Sequence, residues 1–326
     1  MFYSKAKLLL TGCLLTGLAS VGIAWGAEPF PSKPIRIIVP FPPGGGVDTL
    51  ARVINPPLTE SLGKQLVIDN RTGGGGLIGN QIAAQARPDG YTLLFQGIPF
   101  VVAPRLSSST GYDPLRDFAP VVLVASTPIV LVAHPGVPAN SLKEFVAHAK
   151  AQRGKLNMAS GGTGATAHLA AEVFKLSTGA PFTHIPYKGM GPAIIDVLGG
   201  QVDAIFATLP SALPFIHGGK LKALAITSQK RSQFAPELPT AVEAGFEGLV
   251  VVNWYGLLAP RGIAPGISHR ISSAVTEVVG RKNVKDQLAA SGLEVSSAGA
   301  DEFQKFLRSE VERWSRVIKA SGMRAE

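Results

Sequence analysis

The sequence predicts an α/β fold of two domains that meet at a cleft, and three observations carry that prediction. Strand-like and helix-like segments alternate almost throughout the 326 residues, which implies βαβ units and mostly parallel sheets. Two glycine-rich loops, PFPPGGGVDT at 40–49 and SGGTGATAH at 160–168, each lie between a strand and a helix. Two long apolar runs, at 121–133 and 250–258, read as crossovers by which the chain leaves one domain, builds the other and returns. That path puts a cleft at the hinge, where open α/β sheets offer their strand ends to a ligand.

In chain order, residues 1–26 read as an export signal. Lys5 and Lys7 precede an apolar stretch, and Ala24-Trp25-Gly26 makes a small-x-small cleavage site, so the mature chain begins near Ala27. A membrane anchor is the alternative, but Thr11, Gly12, Thr16 and Gly17 interrupt the stretch, and no later segment is long and apolar enough to span. Leu10-Thr11-Gly12-Cys13 resembles a lipoprotein box, yet the apolar core before it is too short and the residues after it stay apolar. Cys13 is the chain's only cysteine, so disulfides, thiol catalysis and cysteine-bound metals drop out of the mature protein.

Strands are expected at 35–39, 65–69, 92–95, 121–125, 129–133, 156–159, 204–206 and 223–227. The helical pattern at 48–62 contains Asn55-Pro56-Pro57, which predicts two short helices, the second starting at a proline. The two strands inside 121–133 join through Ser126-Thr127-Pro128. Ser141 and Glu144 make a capping box that starts a helix. In the last helix Phe303, Phe306, Leu307, Trp314, Val317 and Ile318 form one apolar stripe. With 46% hydrophobic residues the chain has material for two cores.

Without Lys5 and Lys7, the leader's only charges, the 31 basic residues fall to 29 against 22 acidic ones, a net charge of +7. This suits an acidic small ligand, although most of the excess reads as a solvated surface. The basic residues are scattered and no basic run is interleaved with aromatics, so nucleic acid is not an expected partner.

Both glycine loops follow one logic: a strand runs into glycines and a helix starts beyond them. Glycine turns the chain sharply and brings its N–H groups close to a ligand, and the helix start adds unpaired donors and a positive dipole end. Neither loop has the lysine that a phosphate loop needs. The plain alternative is that these glycines only make tight turns; two such loops in one exported chain shift the balance towards a bound anion. Gly74-x-Gly76-x-x-Gly79 matches a dinucleotide fingerprint but lacks an acidic residue at the required distance. A secreted hydrolase is the enzyme alternative, which a turnover assay separates from a receptor, but the chain has no Gly-x-Ser-x-Gly elbow. The six histidines have no metal-ligand spacing, and His168 is expected to hold a helix start rather than touch ligand.

The ordered set PFPPGGGVDTLAR, NRTGGGGLIG, DFAPVVLVA, HLAAEVF, PYKG and NWYGLLAP covers essentially the whole mature chain and resembles the Bug family. Its members are the extracytoplasmic solute receptors of tripartite tricarboxylate transporters. The resemblance implies a two-lobed periplasmic-binding-protein fold, type II-like. It also implies an organic acid (a di- or tricarboxylate or an aromatic carboxylate) in the interlobe cleft, no metal or cofactor, no enzymatic activity, a monomer in the periplasm, and a membrane permease as partner. Lobe one is expected at 27–125 plus 253–326 and lobe two at 126–252.

Carried over, the first binding loop holds Phe41 as an apolar wall, Pro42, Gly44, Gly45 and Gly46 with backbone N–H groups, and Asp48 to cap the helix or orient a water. The second holds the hydroxyls of Ser160, Thr163 and Thr166, the backbone of Gly161, Gly162, Gly164 and Ala165, and His168 beyond them. Tyr187 and Asp203 are expected to reach the cleft from neighbouring loops. The sequence departs from the family pattern at Ala165, where a serine is common, and at 97–102, where GIPFVV replaces small polar residues. The latter points to a more apolar or aromatic acid, or simply to core packing.

Overall fold

The computed structural model describes residues 29–107 and 110–324, so the predicted leader and Cys13 lie outside the described residues. The chain opens with β1 (Ile35–Val39), α1 (Gly46–Leu62), β2 (Leu66–Asn70), a 3-10 turn at Gly74–Gly76, α2 (Leu77–Ala84), β3 (Thr92–Gln96) and α3 (Pro99–Leu106). Then β4 (Phe118–Ala133) runs into a second series: α4 (Leu142–Gln152), β5 (Asn157–Ser160), α5 (Thr166–Thr178), β6 (Thr183–Pro186), α6 (Met190–Leu198), β7 (Ala204–Thr208), α7 (Leu209–His217) and β8 (Lys222–Ile226). The return is β9 (Val252–Pro260), α8 (Pro265–Gly280), α9 (Lys282–Ala290), β10 (Glu294–Ala298) and α10 (Ala300–Ser321).

The strands order as β2-β1-β3-β9-β4-β7-β5-β6, with β10 and β8 also pairing β4. The expectation of mostly parallel sheets holds for the outer strands alone. β1 runs parallel to β2 and β3, and β5 to β6 and β7, whereas every pairing of β4 and β9 is antiparallel. The two apolar runs are long because they traverse both halves of the molecule and lie side by side, from Phe118 opposite Pro260 to Pro128 opposite Val252.

Two further expectations are corrected. The run 121–133 is one strand rather than two: the first part of β4 pairs β9 and β10, and from Ile129 onward it pairs β7 and β8. Pro128 is tolerated because it sits where the β9 ladder ends. Likewise α1 is one helix that runs through Pro56 and Pro57. Val47, Leu50, Ala51, Ile54, Leu58 and Leu62 form one buried stripe across the prolines, so packing outweighs the lost backbone hydrogen bonds.

The capping box is present: Ser141 Oγ accepts from the Glu144 N–H at 3.2 Å, and Glu144 reaches back to the Asn140 N–H at 2.7 Å. The apolar stripe of α10 docks on β4 and α3 of the first half and on α5 of the second. Instead of two cores, the described residues form three clusters of buried side chains. One serves each half, and a third runs through the hinge from Phe100 and Phe118 to Phe174, Trp254 and Trp314. No helix among the described residues is long and apolar enough to cross a membrane.

Candidate functional site

The carboxyl ends of β1 and β3 in the first half, and of β5 and β7 in the second, converge on the hinge strands. Both glycine loops leave the sheet there, and each delivers the N-terminus of a helix, α1 or α5. The first N–H groups of a helix have no partner within it, and the dipole adds positive potential at the same place.

Loop one is shaped by a buried carboxylate. Asp48, 1% exposed, accepts from the Gly44 N–H at 2.9 Å, from Arg52 Nε at 2.7 Å and from Asn70 Nδ2 at 2.9 Å. The Asn70 amide also donates to the Phe41 carbonyl at 3.0 Å, so one side chain ties both ends of the turn. Burial by itself raises the Asp48 carboxyl, but its hydrogen bonds from Arg52, Gly44 and Asn70 and the Arg52 charge outweigh that and hold it below the usual carboxylate range. Asp48 therefore ties the loop ahead of the helix rather than capping α1, whose N-cap Gly45 has no side-chain cap bond. This consumes the Gly44 N–H that the sequence had offered to a ligand, leaving Gly45 and the helix start at Gly46 and Val47 as the donor edge. Phe41 is half-buried against the glycine turn after β2, where a Cβ on Gly76 would come within 3.4 Å of its ring.

Loop two is shaped by a hydroxyl and two imidazoles. Gly162 and Gly164 adopt φ of 124° and 78°, which side chains disfavour. Ser160, fully buried, keeps its hydroxyl inside: Oγ lies 2.6 Å from His184 Nε2 and accepts from the Gly162 N–H at 3.1 Å. The Gly164 N–H donates to His168 Nδ1 at 3.2 Å, and the Ala165 N–H to the Gly162 carbonyl at 3.1 Å. The rings of His168 and His184 stack at 3.6 Å. Burial, and then the neighbouring His184, push His168 down to about 3. It is thus a neutral acceptor, and Glu172, 3.8 Å from its Nε2, is no ion-pair partner. The Glu172 carboxyl is itself raised by burial and has one oxygen without a partner.

Ser160, Gly162, Gly164 and Ala165 thus all bond within the loop itself. The Gly161 backbone and the start of α5 at Thr166 and Ala167 remain as the donor edge. The Tyr187 N–H donates to the Ser160 carbonyl at 2.9 Å, and its hydroxyl donates to Asp196 at 2.7 Å, which pushes the phenol up to about 12. Asp203 is displaced from the site altogether. It precedes β7 and accepts from the N–H of Asn157, the first residue of β5, so it lies at the strand end opposite Ser160. Its partner is a backbone amide at the start of β5, which gives the side chain a role without a ligand. In the first half Ile98, Phe100, Val101 and Val102 are buried at the start of α3, so the 97–102 segment packs in the core.

Two residues that sequence reasoning passed over link the loops. Asn253 and Tyr255 are two apart on β9 and so share a face. Asn253 Nδ2 donates to the Tyr255 hydroxyl at 2.8 Å, and Asn253 Oδ1 lies 3.5 Å from Thr166 Oγ1 at the start of α5. The Tyr255 hydroxyl occupies the space a side chain on Gly46 would need at the start of α1. One relay, Tyr255 to Asn253, therefore spans the gap between the two helix N-termini. An asparagine inside an otherwise apolar buried strand was the available signal, because buried polar groups need partners.

Asp48 and His168 are the only ionisable side chains in the two loops, and both are engaged. The remaining chemistry is that of backbone donors and helix dipoles, which suits carboxylates. A family model described as tripartite tricarboxylate transporter family receptor matches residues 50–323. Protein BugT of Bordetella pertussis is 40% identical over 309 residues, 94% of this chain and 95% of BugT. Among solved structures, an adipate complex from R. palustris is similar with a TM-score of 0.82 and 32% identity, covering 90% of this chain and 99% of that one. MatC from Rhodopseudomonas palustris with bound malate gives 0.80 and 31%, covering 89% and 100%.

Proposed function

Because this chain belongs to the tripartite tricarboxylate transporter receptor family, we propose that it captures a small dicarboxylate between lobe one (27–125 plus 253–326) and lobe two (126–252). One carboxylate sits at the start of α1, on the Gly46 and Val47 N–H groups, and the other at the start of α5, on Gly161, Thr166 and Ala167. The observation that carries this reading is the pairing of two helix N-termini across the Asn253–Tyr255 relay, with no cation in either loop. Adipate and malate, found on the two R. palustris relatives, are the acids of choice for this chain. A diacid bound to both edges favours the closed arrangement, which then presents a composite surface to a membrane permease. The receptor acts as a monomer outside the cytoplasm, exported by residues 1–26.

The test is a thermal-shift series on the chain from Ala27 with adipate, malate, citrate and benzoate. At about 100 times its dissociation constant a ligand of the folded state adds about 2.7 kcal/mol, which moves the midpoint by several degrees. Shifts with the diacids but not with benzoate are expected. A shift with benzoate alone would replace the two-carboxylate reading with an aromatic monoacid.

A further inference from the structure

Through the hinge, β9 turns Asn253 and Tyr255 to the loops and Trp254 to the opposite face. There the Trp254 indole N–H donates to Glu310 Oε2 at 2.8 Å, and the Trp314 indole N–H donates to the same oxygen at 2.9 Å. The Trp254 ring meets Phe303 and Phe306 edge-on, so α10 holds it by packing as well. The second Glu310 oxygen lies 3.5 Å from Arg313, whose guanidinium also donates to the carbonyl of Val250, just ahead of β9. Helix α10 thus grips the returning crossover at two points from behind, while it also packs against elements of both halves.

Beside this grip the crossovers border open space. Ser126, Val250, Val252 and Trp254 line a cavity of about 220 Å³ with Glu310 and Arg313. A second, of about 460 Å³, adjoins it through Ser126 and Val252. Close-packed interiors resist deformation, so strands that border open space on one side are free to bend there, and the α10 contacts are what restrain them.

Building on the receptor reading above, we infer that Glu310 and Arg313 are positioning residues for solute capture. They fix the hinge strand through Trp254 and the Val250 carbonyl, and so hold Asn253 and Tyr255 between the two loops and set the balance between lobe arrangements. Neither residue touches solute; each acts through β9. Releasing the grip lowers the fraction of molecules in the binding-competent arrangement, and apparent affinity falls by that fraction.

The experiment uses the chain from Ala27, which carries no cysteine, with spin labels at the exposed positions Lys64→Cys in the first half and Lys150→Cys in the second. Interlobe distance distributions are measured without solute for the parent, Arg313→Leu and Glu310→Gln, and titrations with adipate and malate follow. The expected result is a broadened or shifted distribution in both variants and affinity about tenfold weaker, with cooperative thermal unfolding kept. Unchanged distributions and unchanged affinity in folded variants would overturn the inference. If the parent binds neither acid, the receptor reading fails, and the solute-free distributions alone decide the grip. If Glu310→Gln loses its cooperative transition, Arg313→Leu decides, since it leaves both indole bonds to Glu310 in place.

Discussion

In the first half of the molecule the glycine loop hangs on an ionised carboxylate, whereas in the second half it hangs on a neutral imidazole. Asp48 gathers Gly44, Arg52 and Asn70 around one charge, and Arg52 reaches solvent. His168 and Ser160 bind Gly164 and Gly162 beside a ring stack with His184. Both arrangements occupy the loop's inner donors and leave the helix start facing outward. The difference teaches that the donor edge is common to the two loops, while the means of holding it is not, so the loops should respond differently to the same kind of damage.

The largest expected effect comes from filling the space in front of the donor edge. A side chain on Gly46 runs into the Tyr255 hydroxyl, with Cζ of that ring at 2.9 Å, and Tyr255 is 2% exposed with no room to retreat. Gly46→Val should weaken solute binding by more than about 100-fold and cost about 1–3 kcal/mol of stability through overpacking. On the other loop a side chain at Gly164 meets the tip of Leu106 at 2.6 Å and touches Val102 at 3.8 Å, although its φ of 78° adds strain. Gly164→Val should therefore bind better than Gly46→Val. Calorimetric titration of both variants ranks them, and the reverse ranking would show that Tyr255 does not back the first loop.

Next in size is loss of the charged tie. Asp48→Ala removes the acceptor of the Gly44 N–H, leaves the Asn70 amide with the Phe41 carbonyl alone and frees Arg52, which is half-exposed, so a stability loss of about 2–3 kcal/mol by denaturant titration is expected. Acid separates the loops further. Since His168 is neutral in the fold with its pKa at about 3, against 6.5 when unfolded, the unfolded chain binds the extra proton between those values. Its contribution is complete above pH 6.5 and is lost as pH falls towards 3. Asp48, held below the usual range, gives way only at lower pH than an ordinary carboxylate. Glu172 acts with the opposite sign: its raised carboxyl makes the fold hold a proton that the unfolded chain releases, so Glu172→Gln should raise stability at pH 7. Melting curves of the parent, His168→Leu and Glu172→Gln across pH 4–7 check the signs. A Glu172→Gln variant, free of the opposing carboxyl, whose stability is flat down to the carboxylate range would refute the neutral His168.

Much of this arrangement was legible beforehand, for identifiable reasons. The buried strands announce themselves as apolar runs, and the glycine loops mark strand ends because only glycine makes such turns. The half-exposed strand β6 (THIP) and the polar β10 (EVSSA) have no such pattern and went unread. Strand direction is not written in an apolar run either, which is why the antiparallel β4–β9 seam was missed. At the site, the sequence shows which residues offer hydrogen bonds but not which way they face. Ser160 and Gly162 read as ligand donors and are spent on each other, and Asp203 reads as a cleft residue but closes the far edge of the sheet. Asn253 and Tyr255 were hidden in a segment that also reads as a plain crossover.

The smallest effect discriminates most finely between the two loops. Ser160 Oγ bonds Gly162 and His184 beneath the loop and is fully buried, so Ser160→Ala removes internal bonds without uncovering the donor edge. A loss of about 1 kcal/mol is expected, in line with a net hydrogen bond in a protein interior. Affinity for the diacid should change less than about threefold, because under 1 kcal/mol of loop order reaches the bound state. If affinity instead collapses while stability is untouched, the hydroxyl must leave His184 and turn to the solute on closure. Loop two would then bind through side chains, as loop one does not, and the shared donor edge would no longer describe both halves.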